Sequence, residues 1–239
     1  MAVVRTAILY ILLSVSSLLA ASPTDRQLYE AYLRADMQVW KEYIANADWE
    51  SADAVERKRV LCYEYGLVPY LLSAGDTIAS RKANKQYKTY IESAHKSLKE
   101  TDYLSHKSAA EIYSYVTNDA GISGAINGWR YSKAALKADN TNPLALYMRA
   151  NVYFHYPKMA GGNKKKALEC YRRAEQIMEE DNTYRYHWMY AAVQLAVAQC
   201  YEKTGDREKA VTQCRKTLRL HPEFKYVKES YLPTLSDKQ

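Results

Sequence analysis

AAVQLAVAQCYEKTGDREKAVTQCRKTLRLHPEF, residues 191–224, sets the architecture expected for the whole chain. Leu195, Ala198 and Tyr201 recur at helical spacing, as do Ala210, Cys214 and Leu218, so each half carries one apolar helical face. Between them Thr204, Gly205 and Asp206 spell a turn. Gly205 tolerates positive φ as a helix C-cap, and the Asp206 carboxylate can accept bonds from the first amides of the next helix. Pro222 then stops the second helix. Two helices joined by so short a turn fold back as an antiparallel pair.

The spacing of Gln194, Val197, Ala198 and Tyr201, followed by Ala210, Cys214 and Pro222, resembles the tetratricopeptide repeat (TPR). Gln stands for the first aromatic residue of that pattern, Ala for its Gly and Cys for its Phe, which loosens the packing without breaking the helices. The pattern returns from Pro143 as Leu146, Arg149, Ala150 and Tyr153, then Ala167, Tyr171 and Ala174, with a longer loop at 155–163 between the paired helices. The tail GGNKKKALECYRRA, residues 161–174, is similar to a motif of small exported TPR proteins of Gram-negative bacteria. The resemblance covers 143–224 and is suggestive over 53–142. It implies an all-α fold of antiparallel helix hairpins stacked as a TPR-like α-solenoid. In such a stack the first helices line a concave surface. Tyr147, Asn151 and His155 on one hairpin and Gln199 and Lys203 on the last lie off the packing positions. These five are the candidate contacts for a protein or peptide partner.

Composition agrees with a helical chain. Eight glycines and six prolines in 239 residues leave few turns for an all-β protein, and no strand-like alternation is visible. There are 23 tyrosines against two phenylalanines, so tyrosine is expected to do the packing between helices. The amino end, MAVVRTAILYILLSVSSLLAAS, has one early charge, a short apolar run and then small residues. That is the layout of a secretory signal peptide over 1–21, cut near Ala20 or Ala21, and it predicts a periplasmic protein. Cys62, Cys170, Cys200 and Cys214 each fall within a predicted helix and read as buried thiols, with Cys200 and Cys214 the pair best placed to bridge.

The formal charge of +7 gathers on second helices, at Lys164, Lys165, Lys166, Arg172 and Arg173 and again at Arg207, Lys209, Arg215, Lys216 and Arg219. A solvated basic face or peripheral contact with an anionic envelope surface follows; nucleic acid is not expected, for want of a binding motif. Along the rest of the chain, helices are expected at 28–45, at 53–73 with Pro69 inside, at 78–99, at 105–118 with a capping box at Ser108 and Glu111, and on to 138. Gly121, Gly124 and Gly128 match neither phosphate-binding fingerprint and suggest a close helix crossing. The organisation predicted is an N-terminal helical region, 22–142, and a C-terminal repeat region, 143–239.

The five histidines are scattered, with no zinc helix and no nucleophile elbow in the sequence, so no catalytic residue, metal or cofactor is expected. The predicted function is an exported scaffold or adaptor in the cell envelope that binds protein or peptide partners and is not an enzyme. The alternatives are an envelope hydrolase or glycan-acting enzyme on the same scaffold, and a structural subunit of a surface complex.

Overall fold

In the computed structural model, residues 23–236 are described; the expected leader lies outside them. The helices are α1 (Asp25–Arg34), α2 (Gln38–Asn46), α3 (Ala54–Ser73), α4 (Thr77–Ala94), α5 (Glu100–Val116), α6 (Gly121–Ala138), α7 (Pro143–His155), α8 (Lys164–Glu180), α9 (Trp188–Lys203), α10 (Arg207–Leu220) and α11 (Leu232–Ser236). No strand occurs among the described residues, and no helix there is long and apolar enough to cross a membrane. Local chemistry explains most boundaries. Asp53, Asp76, Asn142, Asn163 and Asp206 each cap a helix by accepting a backbone N–H, and Gly205 takes φ +88° in the last turn.

Three boundaries differ from the periodic reading. The stripe expected over 28–45 is two helices, because Ala35 adopts a left-handed conformation (φ 59°) that ends α1. The helix expected from 105 begins at Glu100, with Glu100 and Asp102 in the favourable first turn. Its opening residues Thr101, Asp102 and Ser105 are polar yet buried, so hydrophobic periodicity misses them. Ser108 is therefore interior to α5 and caps nothing; its hydroxyl donates to the Gly128 carbonyl of α6 at 2.8 Å. The helix expected over 78–99 ends at Ala94 and passes into a short 3₁₀ turn, His95–Ser97.

Pairs α3/α4, α5/α6, α7/α8 and α9/α10 form antiparallel hairpins, and each packs on the next. One buried core runs from Leu28 to Val193 across the 142/143 junction. What sets this stack apart from an open solenoid is that the first helices meet through aromatic rings. Tyr65 of α3 lies 6.0 Å from Tyr113 of α5, 6.2 Å from Tyr147 of α7 and 5.7 Å from Trp188 of α9, ring centre to ring centre. Helices α1 and α2 close over this cluster. Trp40 of α2 is fully buried against Tyr63 and Trp188, and Tyr32 of α1 touches Trp40, Trp188 and Phe224. Ring pairs at these separations add to area burial, so the tyrosine-rich composition is spent on the interior.

Glycines make the α5/α6 crossing possible. A methyl group on Gly124 would sit 2.6 Å from the Glu111 carbonyl oxygen, and one on Gly128 would sit 2.4 Å from Ile112. Backbone cannot swing aside as a side chain can, so Gly124→Ala is expected to lower stability by about 1–3 kcal/mol. Urea unfolding measures it, and an unchanged midpoint would mean that α5 and α6 are further apart than described. Between this hairpin and the next, Arg149 of α7 is buried between the rings of Trp129 and Tyr153, at 4.8 and 4.2 Å, and donates to the Trp129 carbonyl and the Ser132 hydroxyl.

The four cysteines are free thiols. The chain finishes in a π-helical turn, Tyr226–Tyr231, which packs with α10 and α11.

Candidate ligand-binding cleft

The five residues expected to line a concave groove are not brought together as one open surface. Tyr147 packs among Tyr65 and Tyr171. Both ends of the Asn151 amide are occupied: its N–H donates to the Tyr65 hydroxyl at 3.1 Å, and its oxygen accepts from the Tyr171 hydroxyl at 2.5 Å. The physical reason is the inward crowding of rings just described, which half-buries Tyr147 and Asn151. His155 is exposed beside the 155–163 loop, in a surface hollow shared with Lys158, Lys164, Lys165 and Thr204. Gln199 is half-buried on α9, and Lys203 is exposed at its end, 3.7 Å from Glu202.

A cleft of about 450 Å³ opens elsewhere, between α3, the start of α5, the start of α7 and the segment leading into α9. Its α3 wall is a single helical stripe: Val55, Lys58, Arg59 and Cys62 stand at i, i+3, i+4 and i+7 and so share one face. Asp102 and His106 follow the same logic on α5. Opposite them, Asp181 caps a 3₁₀ turn, Asn182–Tyr184, and the chain then presents Tyr184, Tyr186 and His187 before α9 begins. Tyr63, Leu144 and Met189 complete the apolar lining.

The floor is a thiol and an imidazole. Cys62 Sγ lies 3.5 Å from His187 Nε2, while His187 Nδ1 accepts the backbone N–H of Met189 at 3.2 Å. A neutral ring that accepts at Nδ1 carries its proton on Nε2, so His187 donates to the sulfur. Burial holds both groups uncharged: the Cys62 thiol is pushed up to about 12 and His187 down to about 4. A thiol so protonated is a poor nucleophile. Beside them His106, pushed down by burial to about 4, shares a 2.6 Å hydrogen bond with the Tyr87 hydroxyl through Nδ1. Its Nε2 is buried and has no partner among the described residues.

The rim carries charge in pairs. Lys58 reaches the buried carboxylate of Asp102 at 2.9 Å, and Asn142, which also caps α7, donates to the other oxygen at 2.8 Å. Arg59 bonds Asp25 at 2.6 Å and the Pro23 carbonyl at 2.7 Å. Lys58 is more than half exposed and Asp102 is not, so the lysine can swing toward an anionic ligand while Asn142 continues to hold the aspartate. Among the described residues, no group of three or more His, Cys, Asp or Glu side chains is arranged to hold a metal ion.

Sequence reasoning passed over these residues because they come from four separate segments. The available signals were the polar stripe inside the apolar face of α3 and the aromatic run Tyr184, Tyr186, His187 and Trp188, which a plain helix connection does not need.

The fold is thus an all-α stack of antiparallel hairpins whose inner side is filled with rings and whose flank carries a small-molecule-sized cleft. No family model and no curated protein sequence matches the chain. Among solved structures, it is similar to the HusA haemophore from Porphyromonas gingivalis, with a TM-score of 0.57 over 78% of this chain and 96% of that one, at 16% identity. At that identity the likeness is one of fold.

Proposed function

We propose that this protein is an extracytoplasmic carrier that holds a flat, amphipathic ligand of the tetrapyrrole class in the α3/α5/α9 cleft, without transforming it. The observation that carries the reading is the cleft itself. It combines aromatic and aliphatic walls (Tyr63, Leu144, Tyr184, Met189), a buried ring nitrogen of His106 without a partner among the described residues, and the cations Lys58 and Arg59 at the mouth. Its volume of about 450 Å³ lies in the range of roughly 300–1,000 Å³ typical of ligand pockets. Lys58 and Arg59 are suited to ring carboxylates, and the rings to a planar face. The shared fold with a protein named as a haemophore makes haem the first ligand to test. The leader-like segment at 1–21 supports export. The peptide-groove reading has less support, since Asn151 is consumed by two tyrosines.

Haem titration followed by quenching of Trp188, which stacks beside His187 at 6.3 Å, tests the proposal. Saturable one-to-one quenching is expected. Lys58→Ala with Arg59→Ala should weaken it about tenfold, equivalent to about 1.4 kcal/mol. Cys62→Phe, which fills the floor, should abolish it. Quenching that never saturates, or that survives Cys62→Phe unchanged, would remove the cleft from consideration.

A further inference from the structure

A second surface, formed by residues that do not line the cleft, combines exposed apolar side chains with unpaired cations. At the turn between α5 and α6, Val116, Ile122 and Ile126 are all more than half exposed, Ile122 at 68%. Ile122 and Ile126 are four apart on α6 and so project side by side. Two tethers bring further apolar residues to this end. Arg81 of α4 donates to the Thr117 carbonyl at 2.6 and 3.0 Å and pairs with Asp119 at 3.1 Å, which places the first turn of α4, with Ile78 82% exposed, against the turn. The Tyr156 hydroxyl donates to the Ala125 carbonyl at 2.7 Å, and this anchors the 157–163 loop beside α6 with Met159 95% exposed.

Charge around these side chains is mainly positive. Of the acids at this end, Asp119 pairs with Arg81 and Glu111 with Lys88 at 2.7 Å, while Asp76 caps α4 by accepting the Ala79 N–H. Lys82 and Lys85 on α4 and Lys158 and Lys165 beside the loop have no ion-pair partner among the described residues. Solvation alone explains exposed lysines. It does not explain branched and unbranched apolar side chains held out into water next to them, each of which would be more stable out of water. A rigid protein partner would need matching pockets for separate protruding tips. A fluid anionic bilayer needs none: the tips enter the interface and the lysines meet the headgroups.

We infer that the end of the molecule formed by Ile78, Val116, Ile122, Ile126 and Met159 docks peripherally on an anionic membrane surface, with Lys82, Lys85, Lys158 and Lys165 as its electrostatic ring. This goes beyond the carrier reading and does not depend on it.

Vesicle co-sedimentation tests it, using the chain from Ser22 onward so that the apolar leader cannot bind in its place; all described packing lies within 23–236. Binding is expected to phosphatidylcholine vesicles containing about a third phosphatidylglycerol, and to fall steeply in about 0.5 M salt. Ile122→Ser with Ile126→Ser should reduce partitioning about tenfold. Lys82→Gln with Lys85→Gln should do so by a similar factor and flatten the salt dependence. Both pairs are exposed, so helicity by circular dichroism should match the parent. Equal binding to pure phosphatidylcholine, no binding to either vesicle, or full binding by either double variant would overturn the inference, and the second of these results would point to a protein partner instead.

Discussion

Replacing Trp40 with Ala is expected to lower the unfolding free energy by about 3–5 kcal/mol, close to the whole margin of many domains. Trp40 is fully buried, its indole N–H donates to the Leu28 carbonyl of α1 at 2.8 Å, and its ring contacts Tyr32, Tyr63 and Trp188 at 4.8 to 5.7 Å. One side chain thus joins the N-terminal helices to α3 and to α9, and its loss leaves both a cavity and an unpaired carbonyl. The position of Gly66 supplies an internal check. A methyl group there would lie 2.5 Å from the Trp40 ring, so Gly66→Ala alone should cost about 1–3 kcal/mol. In the Trp40→Ala background the added methyl enters the emptied space, and its cost should shrink by at least about 1 kcal/mol. Urea unfolding of the four proteins measures the coupling. Strict additivity would show that α2 does not press on α3 at this point.

Glu64→Gln should act in the opposite direction and depend on pH. Glu64 is 1% exposed in the middle of α3, one of its carboxyl oxygens has no partner among the described residues, and burial pushes its pKa up to about 8 from an ordinary 4.5. The folded protein therefore keeps a proton that the unfolded chain releases, and stability falls as pH rises from 4.5 toward 8. The loss is about 3 kcal/mol at pH 7 and about 5 kcal/mol once the folded carboxyl has ionised. Gln removes this slope, so the variant should exceed the parent at pH 7 and by more at pH 9. On the acid side three buried histidines set the opposite slope. His106, His187 and His221 are each pushed down by burial to about 4 and stay neutral when folded, so the unfolded chain binds more protons between 6.5 and 4 and stability is lost as pH falls. Denaturation midpoints for the parent should peak near pH 6.5, with only the alkaline limb flattened in Glu64→Gln. A parent curve with no alkaline decline would contradict the buried carboxyl.

How much of this was legible beforehand differs between fold and site. Caps such as Asn142 and Asp206 and turns such as Gly205 act over three or four residues, and the hairpin between α9 and α10 was readable for that reason. The start of α5 was not, because Thr101, Asp102 and Ser105 are buried by polar partners: Thr101 donates to the Ala135 carbonyl, Asp102 accepts from Lys58 and Asn142, and Ser105 donates to the Thr101 carbonyl. Tyr147 and Asn151 are partly covered for a related reason. They do lie off the packing face of their own hairpin, but the neighbours that cover them, Tyr65 and Tyr171, lie 82 to 86 and 20 to 24 residues away in sequence.

The amino-acid sequence by itself determined that the chain is helical, that its helices pair in antiparallel hairpins and that tyrosine rather than phenylalanine fills the space between them, since periodicity and capping are local and each helix records which of its faces is apolar. Only the tertiary structure decided that the first helices converge until their rings touch, that α1 and α2 close over them, and that Cys62, His106 and His187 face a common cleft. Those outcomes depend on crossing angles accumulated over successive hairpins, and a small change in each moves distant side chains by more than a contact distance. A helical face specifies that something must cover it; which residue does so is fixed by the curvature of the whole stack.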